Sequence, residues 1–314
     1  MKTKFAIGCL VQWYESEIIE EYLDTLKEAI KLYDGDVIVD ICLVKNSDLE
    51  KAANFTEKLE QIKKISEAVE GLTANFLMKD SLFTIADYRR WFNDYYCEDV
   101  DVLIWGESDM LVPKQAFVVL DHLHRNVKTP KYLATFAICK MWDDSWKPLE
   151  HPDFTDKPFI EMDTKNWWSL RYTMNEVNDR AKDLDVSIVS PHKYNGCGLI
   201  ISSEVVKAGV NIPRSVFFIH EDTAFMLMTQ KVLGDIPQYH FKNILVVHNR
   251  KHPNKRKNIE GEEGLDKTNP GAQRGSHDWY TPANKMCEQN CYNIFNPNFK
   301  PFTWEDVWKS LKSE

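Results

Sequence analysis

Glu107 and Asp109 stand one residue apart at the end of an apolar run, Val102-Leu103-Ile104-Trp105. If that run is a buried strand, alternation turns both carboxylates to the same side of the backbone at the strand's mouth. Converging carboxylates repel one another unless a cation lies between them, and their oxygens suit Mg²⁺ or Mn²⁺. Taken alone, the same residues also read as a strand followed by a polar turn. A second acidic pair, Glu221-Asp222, precedes Phe225, Met228 and Val232, which share a helix face, with Gly234 at the helix end. Acids at a helix N-terminus complement its dipole, and at a crevice one of them could act as a general base. Ile244 to Val247 reads as a short strand ending in His248, a further candidate metal ligand. The chain then turns basic at Arg250, Lys251, His252, Lys255, Arg256 and Lys257. No hydrophobic period follows through about residue 276, so 251–277 is expected to be a mobile basic loop. It is either a diphosphate lid or a solvated charged loop.

The elements that must position these residues alternate strand and helix. Phe5 to Val11 is short and continuously apolar, the mark of a strand buried on both faces. It runs into Gln12-Trp13-Tyr14-Glu15, after which Ser16 is expected to cap a helix carried by Ile19, Tyr22, Leu23, Leu26, Ile30 and Tyr33. Val37 to Val44 is a second strand, ending at Lys45-Asn46-Ser47. A Glu/Lys-rich helix over about 48–70 follows, then a strand from Asn75 to Met78 and a helix marked by Ile85, Tyr88, Phe92 and Tyr95. Val100 to Trp105 is the fourth strand. This alternation predicts an α/β fold with helices on both faces of a parallel sheet. Ligands of such sheets sit at the carboxyl ends of strands, so the mouths after Val11, Val44 and Trp105 should line one crevice.

Beyond Pro113 a helix over about 114–126 and a strand from Tyr132 to Cys139 are expected. Residues 141–190 are rich in Trp, Asp and Pro, with Trp142, Trp146, Trp167 and Trp168 among them. Such a segment either offers aromatic faces to a sugar or base or packs its tryptophans inward. Asn195-Gly196-Cys197-Gly198 opens a strand through Ile201, its glycines permitting positive φ or close backbone approach. The part from Trp279 to Leu311, with Tyr292, Phe295, Phe299, Trp304 and Trp308, is expected to pack back on the domain.

The 314 residues carry a net charge of −9, which speaks against a general polyanion binder. Seven cysteines, an odd number lying mostly in apolar runs, read as reduced thiols and fit a cytoplasmic protein. Gln12, Glu15 and Glu17 cut the N-terminal apolar run short of a signal peptide, and no segment is long enough to cross a bilayer.

The order of these features resembles the nucleotide-diphosphosugar glycosyltransferases of the GT-A fold, especially family 2. The likeness covers roughly residues 4–250: the first strand with Glu15 behind it, Tyr88-Arg89-Arg90, Glu107-Ser108-Asp109, Gly196-Cys197-Gly198, Glu221-Asp222 and His248. It implies a mixed, Rossmann-like sheet in one catalytic domain over 1–250. An acceptor-side insert over 141–190, a lid over 251–277 and a C-terminal extension over 278–314 complete the organisation. It implies Mn²⁺ or Mg²⁺ held by Asp109, Glu107 and His248, with Glu107 standing where the family's Asp-x-Asp motif begins with Asp. It implies a catalytic base at Asp222, with Glu221 as the other choice. The donor would meet Gln12, Trp13, Glu15, Asn46, Arg89, Arg90, Glu107, Ser108, Lys255 and Arg256. The acceptor would meet Trp142, Trp146, Gly196, Cys197 and Gly198. The expected donor is a UDP-sugar, with stereochemistry open. Soluble bacteriophage transferases that decorate DNA suggest 5-hydroxymethylcytosine as acceptor and host cytoplasm as location. A surface glycan or small acceptor, and a non-catalytic nucleotide- or glycan-binding module, are the alternatives. A nucleotidyltransferase would carry a glycine-rich basic loop where Gln12-Trp13-Tyr14-Glu15 stands.

Overall fold

A computed structural model describes residues 1–45, 49–52, 54–80, 82–140, 170–181, 183–189, 196–248 and 278–312. The strands are β1 (Phe5–Gln12), β2 (Val37–Val44), β3 (Asn75–Lys79), β4 (Val102–Trp105), β5 (Met110–Leu111), β6 (Leu133–Lys140), β7 (Val186–Ile188), β8 (Leu199–Ser202) and β9 (Gln238–His248). They form a single sheet in the order β3-β2-β1-β4-β8-β6-β9-β5, with β7 also paired to β9. β3, β2, β1 and β4 run parallel, as their alternation with helices predicts. The second half is mixed: β8 is antiparallel to both β4 and β6, and β9 is parallel to β6.

Two helical layers cover the sheet. β1 shows how the sequence sorts them, because its alternate side chains face opposite ways. Phe5, Ile7, Cys9 and Val11 join the core beneath α1 (Ile19–Leu32), α2 (Phe55–Glu70) and α4 (Ala116–Asn126). Ala6 and Leu10 join the other core, under α3 (Ile85–Tyr96), α6 (Ser203–Lys207) and α7 (Glu221–Leu233). Gly8 lies between them, because a Cβ there would stand 2.5 Å from the Phe92 ring of α3. The second layer also holds the C-terminal helices α8 (Tyr280–Tyr292) and α9 (Trp304–Leu311), through Ala283, Cys287, Cys291 and Val307.

Two details differ from the sequence reading. Ser16 does not cap α1, which starts at Ile19 after a 3₁₀ turn over Trp13–Glu15; its hydroxyl donates to Gln61 of α2 at 2.7 Å. The strand expected at Ile244 to Val247 extends from Gln238 to His248, with a register shift opposite Phe136/Ala137 of β6. Asn178, ending α5 (Leu170–Asn178), exchanges hydrogen bonds with the Leu245 backbone at 2.7 and 3.0 Å beside that shift. Among the described residues no helix is long and apolar enough to cross a membrane.

Candidate functional site

The end of β4 is shaped by a close approach. A Cβ at Gly106 would lie 2.5 Å from the Tyr22 hydroxyl and 3.0 Å from the Gly8 carbonyl, so only glycine lets the strand end here. The chain then turns, Met110 N–H bonding Glu107 C=O at 3.0 Å, and enters β5. β5 pairs antiparallel with β9, Met110 opposite His248. That register delivers His248, 139 residues away in sequence, to Asp109: His248 Nε2 lies 2.9 Å from Asp109 Oδ1. The same nitrogen lies 2.9 Å from Glu107 Oε2.

Cys197, from the loop before β8, joins this group. One donor atom each from Glu107, Cys197 and His248 lies within 4.8 Å of the others. Carboxylate, imidazole and thiol converging at a buried point form a set that fits a divalent cation, with Asp109 on the same imidazole nitrogen. Burial opposes ionisation of Glu107, but His248 and Arg89 outweigh it and hold the carboxyl well below the ordinary range. Burial would lower His248, but Asp109 and Glu107 outweigh it and raise its pKa.

Arg89 of α3 ties the cluster to α7. It is 2% exposed and lies over the Trp105 ring, Cζ 4.7 Å from the centroid. Its guanidinium donates to Glu107 Oε1 at 2.8 Å, to the Gly196 carbonyl at 2.9 Å and to Glu221 Oε1. Position 196 is glycine for the same reason: a Cβ there would meet Arg89 Nη1 at 2.1 Å. Burial is the largest influence on Glu221 and raises its pKa, with Arg89 opposing.

Asp222 has a different setting from its neighbour. It is half-buried, whereas Glu221 is buried. The Gly196 N–H donates to its Oδ2 at 3.0 Å, and the Thr223 N–H to its Oδ1 at 2.7 Å. The residue before the pair, His220, sits in the left-handed region at φ 65°. α8 holds this approach to α7 in place. Asn284 meets His220 Nε2 at 2.8 Å, the Cys287 thiol meets the Ile219 carbonyl at 2.9 Å, and Asn290 Nδ2 donates to the Ser215 carbonyl at 2.8 Å.

Beside the cluster, at the carboxyl end of β1, lies a pocket with Gln12 and Glu15 on one wall and Phe83, Phe218, Trp279 and Tyr280 among the rest. Phe218 meets Trp279 and Tyr280 edge-on, at 5.3 and 5.4 Å between ring centroids. The Ser108 hydroxyl donates to Glu15 Oε2 at 3.4 Å, so the pocket wall is continuous with the Glu107–Asp109 turn.

The structure therefore brings together Glu107, Asp109, His248, Arg89, Gly196, Cys197, Glu221 and Asp222, with Glu15, Ser108 and Gln12 adjoining. Three residues expected at the donor are engaged within the protein. Trp13 is 1% exposed within the core. Arg89 is engaged as described. Arg90 donates to the carbonyls of Ile212, Pro213 and Val216 at 2.7–3.0 Å, bracing the loop before α7. Cys197 and Gly196, expected on the acceptor side, stand with the cation cluster and Arg89. Gly198, also expected there, supports the turn, its N–H bonding the Trp105 carbonyl at 2.9 Å. Asn46, Trp142, Trp146, Lys255, Arg256 and the loop 251–277 lie outside the described residues. Phe83, Phe218, Trp279 and Tyr280 were not singled out from the sequence; the only sequence signal was aromatic pairs, which read equally as core.

No protein-family model matches the sequence, and no curated protein matches it. Solved structures do match. S. aureus TarS 1–349 in complex with UDP-GlcNAc aligns over 95% of this chain and 68% of that one, at 9% identity and a TM-score of 0.50. A longer S. aureus TarS chain aligns at 10% identity and a TM-score of 0.48 over 82% of this chain, which spans 38% of that chain's length. Glucosyl-3-phosphoglycerate synthase from Mycobacterium tuberculosis, in complex with Mn²⁺, UDP and glucosyl-3-phosphoglycerate, aligns at 12% identity and a TM-score of 0.42, over 82% of this chain and 80% of that one. The likeness to TarS 1–349 is one of α/β fold.

Proposed function

We propose that this protein is a divalent-cation-dependent transferase. It moves a sugar from a nucleoside diphosphate, a UDP-sugar foremost, to a hydroxyl of a glycan or small acceptor. One observation carries the reading: an aromatic pocket, a cation cluster and an oriented carboxylate adjoin at the carboxyl ends of β1 and β4, joined through Glu15–Ser108 and through Arg89. A nucleoside diphosphate sugar needs a stacking surface for its base, a cation at its diphosphate and an acid–base group at its anomeric carbon.

Glu107, Asp109 and His248 would hold a divalent cation, whose contribution when bound would be to neutralise charge on the departing diphosphate. The chain supplies the rest. Phe218, Trp279 and Tyr280 offer ring faces to the base, and the Gln12 amide offers it a polar edge. Arg89 pairs with both Glu107 and Glu221, which keeps the mouth of β4 and the start of α7 at a set distance. Asp222 takes the proton of the acceptor hydroxyl, its carboxylate oriented by the Gly196 and Thr223 N–H groups. Glu221 does not compete for that role, because it is buried and paired with Arg89. In a transfer that retains configuration, Asp222 would position the acceptor or the sugar instead.

UDP-GlcNAc is the first donor to test, because TarS 1–349 was solved with it. The DNA acceptor loses ground to the glycan or small-molecule alternative. Its supports, Trp142 and Trp146 and the basic run from Arg250 to Lys257, lie outside the described residues, and the net charge of −9 opposes a polyanion. The test is release of nucleoside diphosphate from a panel of sugar nucleotides, with Mn²⁺ and with chelator. Release that needs the cation is expected. Absence of both release and binding across the panel would overturn the reading.

A further inference from the structure

The cation cluster contains a ligand type that the Glu107–Asp109 pair does not foretell. Cys197 is 2% exposed, and the turn that carries it is fastened to the end of β4 by the Gly198 N–H, which bonds the Trp105 carbonyl at 2.9 Å. Gly198 adopts φ 70°, and Gly196 lies against the guanidinium of Arg89. The sulfur is thus held on the same strand end that presents Glu107. The three donor atoms lie within 4.8 Å of one another. Ligands at about 2.0–2.3 Å from one ion stand roughly 3.3–3.8 Å apart in a tetrahedral site, so a side-chain movement of about an ångström at most satisfies all three.

We propose that Cys197 ligates the cation through its thiolate, making a carboxylate–imidazole–thiolate site that prefers thiophilic divalent ions. The proposal rests on the cation reading given above, and not on any sugar donor. As the sulfur–metal bond forms, the thiol proton passes to solvent. Sulfur and nitrogen donors place Zn²⁺ and Co²⁺ above Mn²⁺. Mg²⁺ demands a near-octahedral oxygen shell and keeps its waters, so the thiolate contributes nothing to its binding. The order of affinity is therefore Zn²⁺, Co²⁺, Mn²⁺, then Mg²⁺. A pair of carboxylates alone would rank these ions far more evenly.

The test is Co²⁺ titration of the full chain without nucleotide, followed by absorbance. The wild type should show visible d–d bands together with a near-ultraviolet sulfur-to-cobalt charge-transfer band, saturating at one equivalent. Cys197→Ser should lose the near-ultraviolet band, whereas Cys9→Ser and Cys287→Ser should keep it. Zn²⁺ affinity, measured by competition with a chelating dye, should fall about 100-fold in Cys197→Ser, the upper end of what losing even an outer-shell partner costs. If Cys197→Ser fails to fold by circular dichroism, His248→Gln should remove the same band with the thiol intact. Visible bands without the near-ultraviolet band would overturn the thiolate assignment and leave the cation site standing. Absence of any Co²⁺ binding would overturn both.

Discussion

Arg89→Met removes a buried cation from between two acids. Arg89 is 2% exposed and pairs with Glu107 at 2.8 Å, with Glu221, and with the Gly196 carbonyl at 2.9 Å. Glu107 retains His248 at 2.9 Å, so the uncompensated loss falls on Glu221. Removing one partner of a buried ion pair costs about 3–5 kcal/mol. That is a large share of the roughly 5–15 kcal/mol that holds a typical domain folded. Glu221 has one way to limit the loss, which is to take up a proton. Burial already raises its pKa against the pull of Arg89, and removing Arg89 raises it further. In the unfolded chain the same carboxyl titrates near about 4.3. Above that value the native variant binds a proton that the unfolded chain does not, so stability falls as pH rises, by up to about 1.4 kcal/mol per pH unit. Wild-type Glu221, itself raised, behaves alike below its own folded pKa, so the deficit relative to wild type grows as pH rises from that value to the higher one of the variant and then levels off. Urea unfolding followed by tryptophan fluorescence across that range measures it. Arg89→Lys should fall between the two, since a point charge replaces one fork of the guanidinium. A deficit for Arg89→Met below about 1 kcal/mol near neutral pH, or one independent of pH, would refute the strut assigned to Arg89.

Other expectations follow from separate contacts. Gly196→Ala puts a Cβ 2.1 Å from Arg89 Nη1, so it should show the same pH-dependent deficit at smaller size in the same unfolding series. Asp222→Asn should lower transfer by about 100-fold or more while nucleotide affinity, measured by calorimetry, stays unchanged. Trp279→Ala or Tyr280→Ala should raise the donor KM by about 10-fold with kcat retained, from a base-stacking contribution of about 1–3 kcal/mol. Burial opposes ionisation of Asp121, but the Thr3 N–H and hydroxyl, at 3.0 and 2.8 Å, with Arg125 and Lys2, outweigh it and lower its pKa. Its stabilisation is present above about pH 4 and lost as pH falls through the lower folded value. Asp121→Asn should therefore cost about 1–2 kcal/mol near neutral pH and converge with wild type in acid, as read by Tm.

The parallel half of the sheet was legible because it is built from local signals. β1 is an unbroken apolar run, and α1 keeps Ile19, Tyr22, Leu23 and Leu26 on one buried face. The site was legible in its residue types and less so in its geometry. Glu107 and Asp109 declare themselves by spacing, but what places His248 on them is β5, two residues long and too short for any periodicity. Cys197 looked like a small apolar residue in a glycine turn; its place beside Glu107 and His248 depends on the antiparallel pairing of β8 with β4, a long-range choice that local sequence does not encode. Arg89 and Arg90 look alike in sequence and share a helix, yet one turns to the cluster and the other to the carbonyls before α7. The place of Trp13 was not legible, because an aromatic at a strand's mouth reads as a ligand platform, whereas the 3₁₀ turn rolls it into the core.

The hold of α8 on residues 215–220 changes where the functional unit ends. A left-handed non-glycine residue costs on the order of 1–3 kcal/mol and persists only where its surroundings over-determine it. His220 is such a residue, and Asn284, Cys287 and Asn290 of α8 supply much of that surround. α8 is thus a keystone for the carboxylate at Asp222, although it contributes no strand and lies beyond the last strand of the sheet. Cutting the chain after β9 would leave the sheet's hydrogen bonds whole and let the joint before Glu221 relax. In a protein trimmed for expression or grafted onto another acceptor domain, the boundary that matters is the far end of α9, because the Phe302 backbone exchanges hydrogen bonds with Asn290 and Trp304 packs on Phe217 and Phe218.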